Sequence, residues 1–358
     1  MPYLAVLAGA VLCYAALGAV LRILPQLESD HAAVGLLVGA PALAAVFTRP
    51  GGGRLADGLG PGRVMLAGAA FMAAGIAPAL AASGFEPLLI SRLLVGAGEG
   101  AMMSAAVLWL LRLAGPERRG RALGHIGLAN YGGLTAGPLL ASALGLARVP
   151  VLIAAAILPL AGALVTTRAK RPPPEATRTR GDHETGIARA AILPGIGLML
   201  VNVGYVALLA FGVTVSGSGL AIPVFATGVI VARTAFAGVP DRFGARRTVA
   251  ASTTTAAVGL AIVALAPTTA LALAGTLVLA VGQGLAVPAL GLLVIGRVPA
   301  ARHGAAAGLF FSFFDAGVGA GGPFVGWIAR LTSPSGALLV AAGAVAGAGL
   351  VTGISRRW

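Results

Sequence analysis

The sequence predicts an all-α membrane protein of about twelve transmembrane helices, divided between two pseudo-symmetric six-helix halves. Three observations predict it. The 358 residues are 58% hydrophobic and only 10% charged, with a mean hydropathy of +0.95, more apolar surface than a water-soluble chain of this size can hide. Apolar stretches of about 20 residues, the length that crosses a bilayer, recur from end to end. The first half of the chain is repeated in the second.

Hydropathy and turn signals place spans near residues 4–24, 31–49, 64–82, 87–111, 120–146 and 149–165 in the first half. In the second half they fall near 193–214, 220–238, 248–266, 270–295, 303–328 and 336–354. The opening Met1-Pro2-Tyr3-Leu4 has no basic stretch, so the first span is expected to be a retained helix rather than a cleaved signal. A single cysteine, Cys13, excludes an internal disulfide framework. Between the halves the chain turns polar and charged, with Pro172, Pro173 and Pro174 in succession. Such a segment cannot bury a core and is expected to be a flexible linker. The domains are thus residues 1–166, a cytoplasmic linker at 167–189, and residues 190–358.

The net charge of +14 sits in alternate loops: Arg49, Arg54 and Arg63, then Arg118, Arg119 and Arg121, then the linker, then Arg242, Arg246 and Arg247, then Arg297 and Arg302, then Arg356 and Arg357. The intervening loops hold little beyond Arg22, Arg148 and Arg330. This asymmetry is the positive-inside pattern, and it puts both termini in the cytoplasm of a multi-pass protein of the plasma (inner) membrane. No compact basic domain exists to carry nucleic acid. His183 and Glu184 lack metal-ligand spacing, so no metal or cofactor is expected.

The fourth span carries the run Arg92-Leu93-Leu94-Val95-Gly96-Ala97-Gly98-Glu99-Gly100. Seven residues are two helical turns, so Arg92 and Glu99 lie on one face, about 10 Å apart. Ionisable groups at bilayer depth are costly and mark pathways; the alternative is a buried structural pair. The glycines thin the helix and let a neighbour approach.

The repeat is read from spacing. Arg49, Asp57, Gly60 and Arg63 recur 184 residues later as Arg233, Asp241, Gly244 and Arg247. The same shift carries Gly98-Glu99-Gly100 onto Gly282-Gln283-Gly284, and Gly124 onto Gly308. After one insertion, Gly137-Pro138 matches Gly322-Pro323. Repeats of this kind mark secondary transporters. The loop residues Asp57, Gly60 and Arg63, with Asp241, Arg242, Gly244 and Arg247 in the copy, suggest a tight turn and a charge latch that holds one state shut and breaks in another.

With these residues in view, the chain resembles the major facilitator superfamily over essentially its whole length. That resemblance implies two six-helix bundles around a central cavity with alternating access. The first loop departs from the family pattern, with Gly58, Pro61 and Gly62 where basic residues are usual. The series Arg92, Gly96, Gly98, Gly100 resembles a second family signature, in which the arginine takes part in proton transfer. Gly124, Gly133, Gly137 and Pro138 resemble the helix motif of the proton-coupled efflux, or antiporter, branch, with Ala141 and Ser142 in place of its last two glycines.

The acids sharpen this expectation. Glu99 in the first half and Asp315 in the second have the neutral counterparts Gln283 and Asn130. A low-dielectric site disfavours an ionised carboxylate unless a cation offsets it, which makes Glu99 and Asp315 candidate proton carriers, with Arg92 as their helper. Tyr14, Asn130, Asn202, Tyr205 and Gln283 are candidates for the cavity and its small-molecule substrate. Trp109 is expected at the membrane interface. The expected function is alternating-access secondary transport by proton-coupled efflux, acting as a monomer. An uptake symporter for a sugar or organic acid is the alternative on the same scaffold. A membrane enzyme or sensor is the remote one, because no Gly-x-Ser-x-Gly, His-Glu-x-x-His or phosphate-loop motif occurs.

Overall fold

A computed structural model describes residues 2–114, 119–167, 184–236, 238–298 and 303–354. It is helical, with no strand among the described residues. In lipid every backbone polar group must be satisfied within its own segment, and an apolar chain answers that demand with helices.

The first half forms α1 (Pro2–Leu27), α2 (His31–Leu59), α3 (Pro61–Ala74), α4 (Ala77–Ala81), α5 (Phe85–Ala114), α6 (Arg119–Ala143) and α7 (Arg148–Thr167). The second forms α8 (Glu184–Ser216), α9 (Ala221–Ala235), α10 (Val239–Phe243), α11 (Ala245–Leu265), α12 (Thr269–Ile295), α13 (His303–Leu331) and α14 (Pro334–Ile354). Every expected span coincides with a helix. Ten segments among the described residues are long and apolar enough to cross a bilayer, and Ala221–Ala235 is a shorter apolar helix. The third span is split into α3 and α4, where Gly75 and Pro78 interrupt the backbone ladder.

Three boundaries differ from expectation. The helix α2 runs on through Pro50 to Leu59, so the loop anticipated after Arg49 shrinks to Gly60. In the second copy the chain does break: α9 ends at Ala235 and a separate short α10 carries Pro240 and Asp241. The neighbouring helices also extend into the linker, to Thr167 on one side and from Glu184 on the other; residues 168–183 lie outside the described residues.

The chain separates into two compact units. One comprises Met1–Ser29 and Ala40–Thr179, the other Asp30–Gly39 and Arg180–Trp358. In the first unit α1 packs on α6 and α7, and α3 on α5 and α7. In the second, α11 packs on α12 and α14, α8 on α13 and α14, and α9 on α12. Its core includes Leu198, Val201, Leu290, Val294 and Phe310. The first turns of α2 belong to this second unit, where Gly35 and Gly39 meet the backbone of Gly322 on α13.

Candidate functional site

The sequence repeat is realised contact by contact. In the first unit, a side chain at Gly98 would strike Gly68 and Met72 of α3, and one at Gly100 would strike Ala45 and Thr48 of α2. In the second unit, a side chain at Gly282 would strike Ser252 and Ala256 of α11, and one at Gly284 would strike Val229 and Ala232 of α9. The 184-residue shift maps each of these neighbours onto its partner. At Gly98 and Gly282 neighbouring backbone stands where a Cβ would go, and at Gly100 and Gly284 the side chains of Thr48 and Ala232 stand nearest. Both units therefore hold the residue between the glycines, Glu99 or Gln283, in the same seat.

Glu99 is buried, with 5% exposure. The hydroxyl of Tyr14 on α1 donates to its Oε1 at 2.6 Å. Arg49 on α2 reaches both carboxylate oxygens with Nη2, at 3.2 and 3.4 Å. The backbone carbonyl of Arg49 in turn accepts from Ser104 Oγ of α5 at 3.0 Å, which ties α2 to α5 one turn from the ion pair. A charged acceptor with two donors is the arrangement that makes a buried carboxylate tolerable. The pair is not a two-pronged fork, since one guanidinium nitrogen spans both oxygens.

The antiporter-type motif builds this site. Gly133 of α6 lies against Tyr14, Val11 and Ala15, and Gly137 against Ala15, Gly18 and Ala19. Pro138 packs on Gly18. These three residues seat α1 on α6 and so set the position of Tyr14. Gly124 has open space where a Cβ would stand and takes no part in that contact.

Arg92 is buried on α5, and the side chains that reach Glu99 from other helices are Arg49 and Tyr14. Arg49 was legible in the sequence only as a repeated basic residue near a loop. Its signal as a site residue was its recurrence, with Arg233, at a fixed distance from Glu99 and Gln283.

The loop residues are explained in part. Gly60 and Gly244 adopt φ of 90° and 81°, a backbone region that strongly favours glycine. Each is the residue before the next helix, α3 or α11. Asp57 Oδ1 accepts from Arg112 Nη2 at 3.0 Å, a basic partner from the end of α5 that the loop pattern did not reveal. Arg63, Arg242 and Arg247 are exposed, and the side chain of Asp241 lies outside the described residues. Trp109, expected at the interface, is instead 2% exposed and packs against Gly62, whose lack of a side chain leaves room for the ring.

In the second unit, Gln283 is fully buried and donates through Nε2 to Asn202 Oδ1 at 3.4 Å. Asn202 Nδ2 donates to the Phe314 carbonyl, also at 3.4 Å. Tyr205 is buried beside Phe225 and Phe314. Asp315 is 3% exposed on α13, and Asn130, its counterpart in the first unit, is half-buried.

A multi-pass helical protein with buried charge within its spans and two half-repeats whose glycine contacts correspond is, as a class, a membrane transporter. The particular family follows from comparison. Residues 4–216 and again residues 185–356 match the Major Facilitator Superfamily, and the chain belongs to it. An MFS-type transporter of Burkholderia mallei (strain SAVP1) is 31% identical over 369 residues, covering 97% of this chain and 90% of the relative. One from Salmonella typhimurium is 29% identical, covering 94% and 92%. Among solved structures, the nucleoside transporter NupG aligns with a TM-score of 0.80 at 17% identity, covering 100% of this chain and 99% of its own. The human organic anion transporter MFSD10 aligns with a TM-score of 0.74 at 16% identity, covering 98% of both chains. At those identities the likeness is one of fold. The chain is a secondary transporter of a small molecule and not an enzyme.

Proposed function

We propose that this transporter exports its substrate in exchange for protons, with Glu99 as a proton-carrying group and Asp315 as the second. The observation that carries the reading is the carboxylate of Glu99, buried at mid-helix and held by Arg49 and Tyr14. Protonation removes its negative charge, so Arg49 loses its Coulombic partner. Two states that differ in one ion pair are the element on which a proton gradient can act. The neutral Gln283 in the equivalent seat supports this reading, because the scaffold evidently packs there without an ionisable group. The antiporter-type motif on α6 favours exchange over symport, and it does so through a contact, since it positions Tyr14.

The Asp57–Arg112 pair is the latch of this cycle, on the side that the arginine-rich loops assign to the cytoplasm. Both termini lie on that side of the plasma (inner) membrane, and one chain is the working unit. Arg92, buried on the helix of Glu99, acts in proton passage alongside it.

Everted vesicles test the proposal. A compound panel is screened for accumulation that collapses with an uncoupler, and each active compound is then tested for proton release on addition. Export by antiport releases protons from the acidified lumen when substrate is added. Substrate-driven proton movement in the opposite sense identifies symport, and no uncoupler-sensitive movement of any compound refutes proton coupling.

A further inference from the structure

The second unit contains a polar cluster that proton coupling does not use. Gln283 and Asn202 are both 0% exposed and linked amide to amide. Asn202 is anchored in turn on the Phe314 carbonyl. The remaining oxygen, Gln283 Oε1, is buried and accepts no hydrogen bond. A buried acceptor left in this way is costly, and native proteins rarely leave one without a purpose. A primary amide has two N–H donors, and Asn202 takes one of those on Gln283. The amide of Gln283 thus offers a bare acceptor oxygen, and its nitrogen carries a second N–H.

Aromatic rings cluster one turn along α8 from Asn202. Tyr205, one turn beyond Asn202 on α8, has its ring centroid 5.6 Å from that of Phe225 and 6.0 Å from that of Phe314. Phe314 is the same residue whose carbonyl Asn202 holds. Gly317 lets α13 approach, since a Cβ there would lie 3.1 Å from the Asn202 Cβ. An amide edge beside an aromatic wall recognises a flat ligand by its hydrogen-bonding edge and its ring face together.

The chemistry narrows the ligand. A carboxylate has no donor for Oε1 and would place its own charge against it. An ammonium satisfies Oε1 but gives the neighbouring N–H nothing to donate to. A ring lactam carries an N–H donor and a C=O acceptor side by side, and it is planar. We propose that the Gln283–Asn202 pair is a substrate-binding edge for an uncharged, planar, lactam-type ring packed against Tyr205 and Phe314. The proposal rests on the chain being a small-molecule transporter and is independent of proton coupling. Both amides are closed off here, so the ligand reaches them in an access state in which this packing opens.

The probe is 2-quinolone, compared with N-methyl-2-quinolone, which keeps the ring and the carbonyl but lacks the N–H. Binding is measured by calorimetry on purified full-length protein in nanodiscs, without a proton gradient. The expected result is saturable binding of 2-quinolone, with the N-methyl compound at least ~10-fold weaker, since it leaves Oε1 unpaired. In Gln283→Met, which keeps side-chain volume, the two compounds should bind within about two-fold of each other, and thermal unfolding of that variant verifies that it is folded. Equal affinities of the two compounds for the unaltered protein, or no saturable binding of either, overturn the proposal and assign the bare acceptor to an ordered water. Binding that survives while uncoupler-sensitive transport proves absent refutes only the proton-coupled reading.

Discussion

The two units place different chemistry in one seat. In the first, Glu99 lies between Gly98 and Gly100, gripped by Tyr14 and Arg49. In the second, Gln283 lies between Gly282 and Gly284 and reaches Asn202 instead. The glycines, their neighbours on α3 and α2, and the copies of those neighbours on α11 and α9 all correspond. The difference teaches that packing and charge are separable here. The glycine seat is a property of the repeated fold. The carboxylate occurs in only one of the two copies, so it is not required by the packing that both copies share.

The largest effect is expected from erasing that difference. Glu99→Gln gives the first unit the chemistry of the second. Uncoupler-sensitive transport should be lost, while expression and thermal unfolding in nanodiscs stay close to those of the unaltered protein. Asp315→Asn tests the other acid in the same assay. Full proton-driven transport in both variants would remove these residues from the coupling mechanism. Loss of folding in Glu99→Gln would instead make the carboxylate structural.

Next in size is the removal of the counter-ion. Arg49→Gln strands a carboxylate in a buried site. Breaking a fully buried pair costs ~3–5 kcal/mol. The Arg49 side chain retains 26% exposure, so a loss of about 2–3 kcal/mol is expected after solvent screening. The double variant Arg49→Gln with Glu99→Gln should recover most of that stability, because it leaves no charge behind. Additive losses in the double-mutant cycle would mean that the two side chains do not interact.

Much of this architecture is legible in the sequence, for physical reasons. Spans are visible because a bilayer demands about 20 apolar residues each. The glycine seats are visible because close neighbours leave little room for a Cβ, so the same glycines recur at the same spacing. Gly60 and Gly244 are visible because their positive φ strongly favours glycine. What the sequence hides is helix rotation. Arg92 and Glu99 share a helix, so spacing alone suggests a pair. Arg49 and Glu99 meet only because α2 and α5 turn particular faces to one another, and no periodicity within either helix encodes that. Tyr14 was legible as a candidate on its helix. Its partner was not, since the contact depends on Gly133 letting α1 approach. The end of α2 is hidden from the sequence because Pro50 and three glycines look like a break, whereas the helix continues through them.

A smaller, symmetrical effect is expected at the seats themselves. Gly98→Ala and Gly282→Ala each place one methyl group against backbone. Overpacking of this kind costs about 1–3 kcal/mol, and the correspondence of neighbours predicts similar losses at both positions. Thermal unfolding of the two variants, side by side, measures this. A large loss at one position with none at the other would mean that the units share a sequence pattern without sharing its packing.

The smallest effect on stability belongs to the Asp57–Arg112 pair, and here stability and function should part. The Asp57 side chain is 64% exposed while that of Arg112 is 9% exposed. A pair so open to solvent contributes ~0–1 kcal/mol, so Asp57→Asn should leave thermal unfolding nearly unchanged. Even ~1 kcal/mol, however, is about a five-fold change in a two-state equilibrium. If the pair closes one access state, Asp57→Asn should shift that equilibrium by up to this factor, read as faster cysteine labelling at an engineered position beside Gly60. Because the interaction is one of charge, raising the salt concentration should weaken it in the unaltered protein and move its labelling rate toward that of the variant. Labelling that is identical in both proteins at low salt would show that Asp57 and Arg112 meet without controlling access.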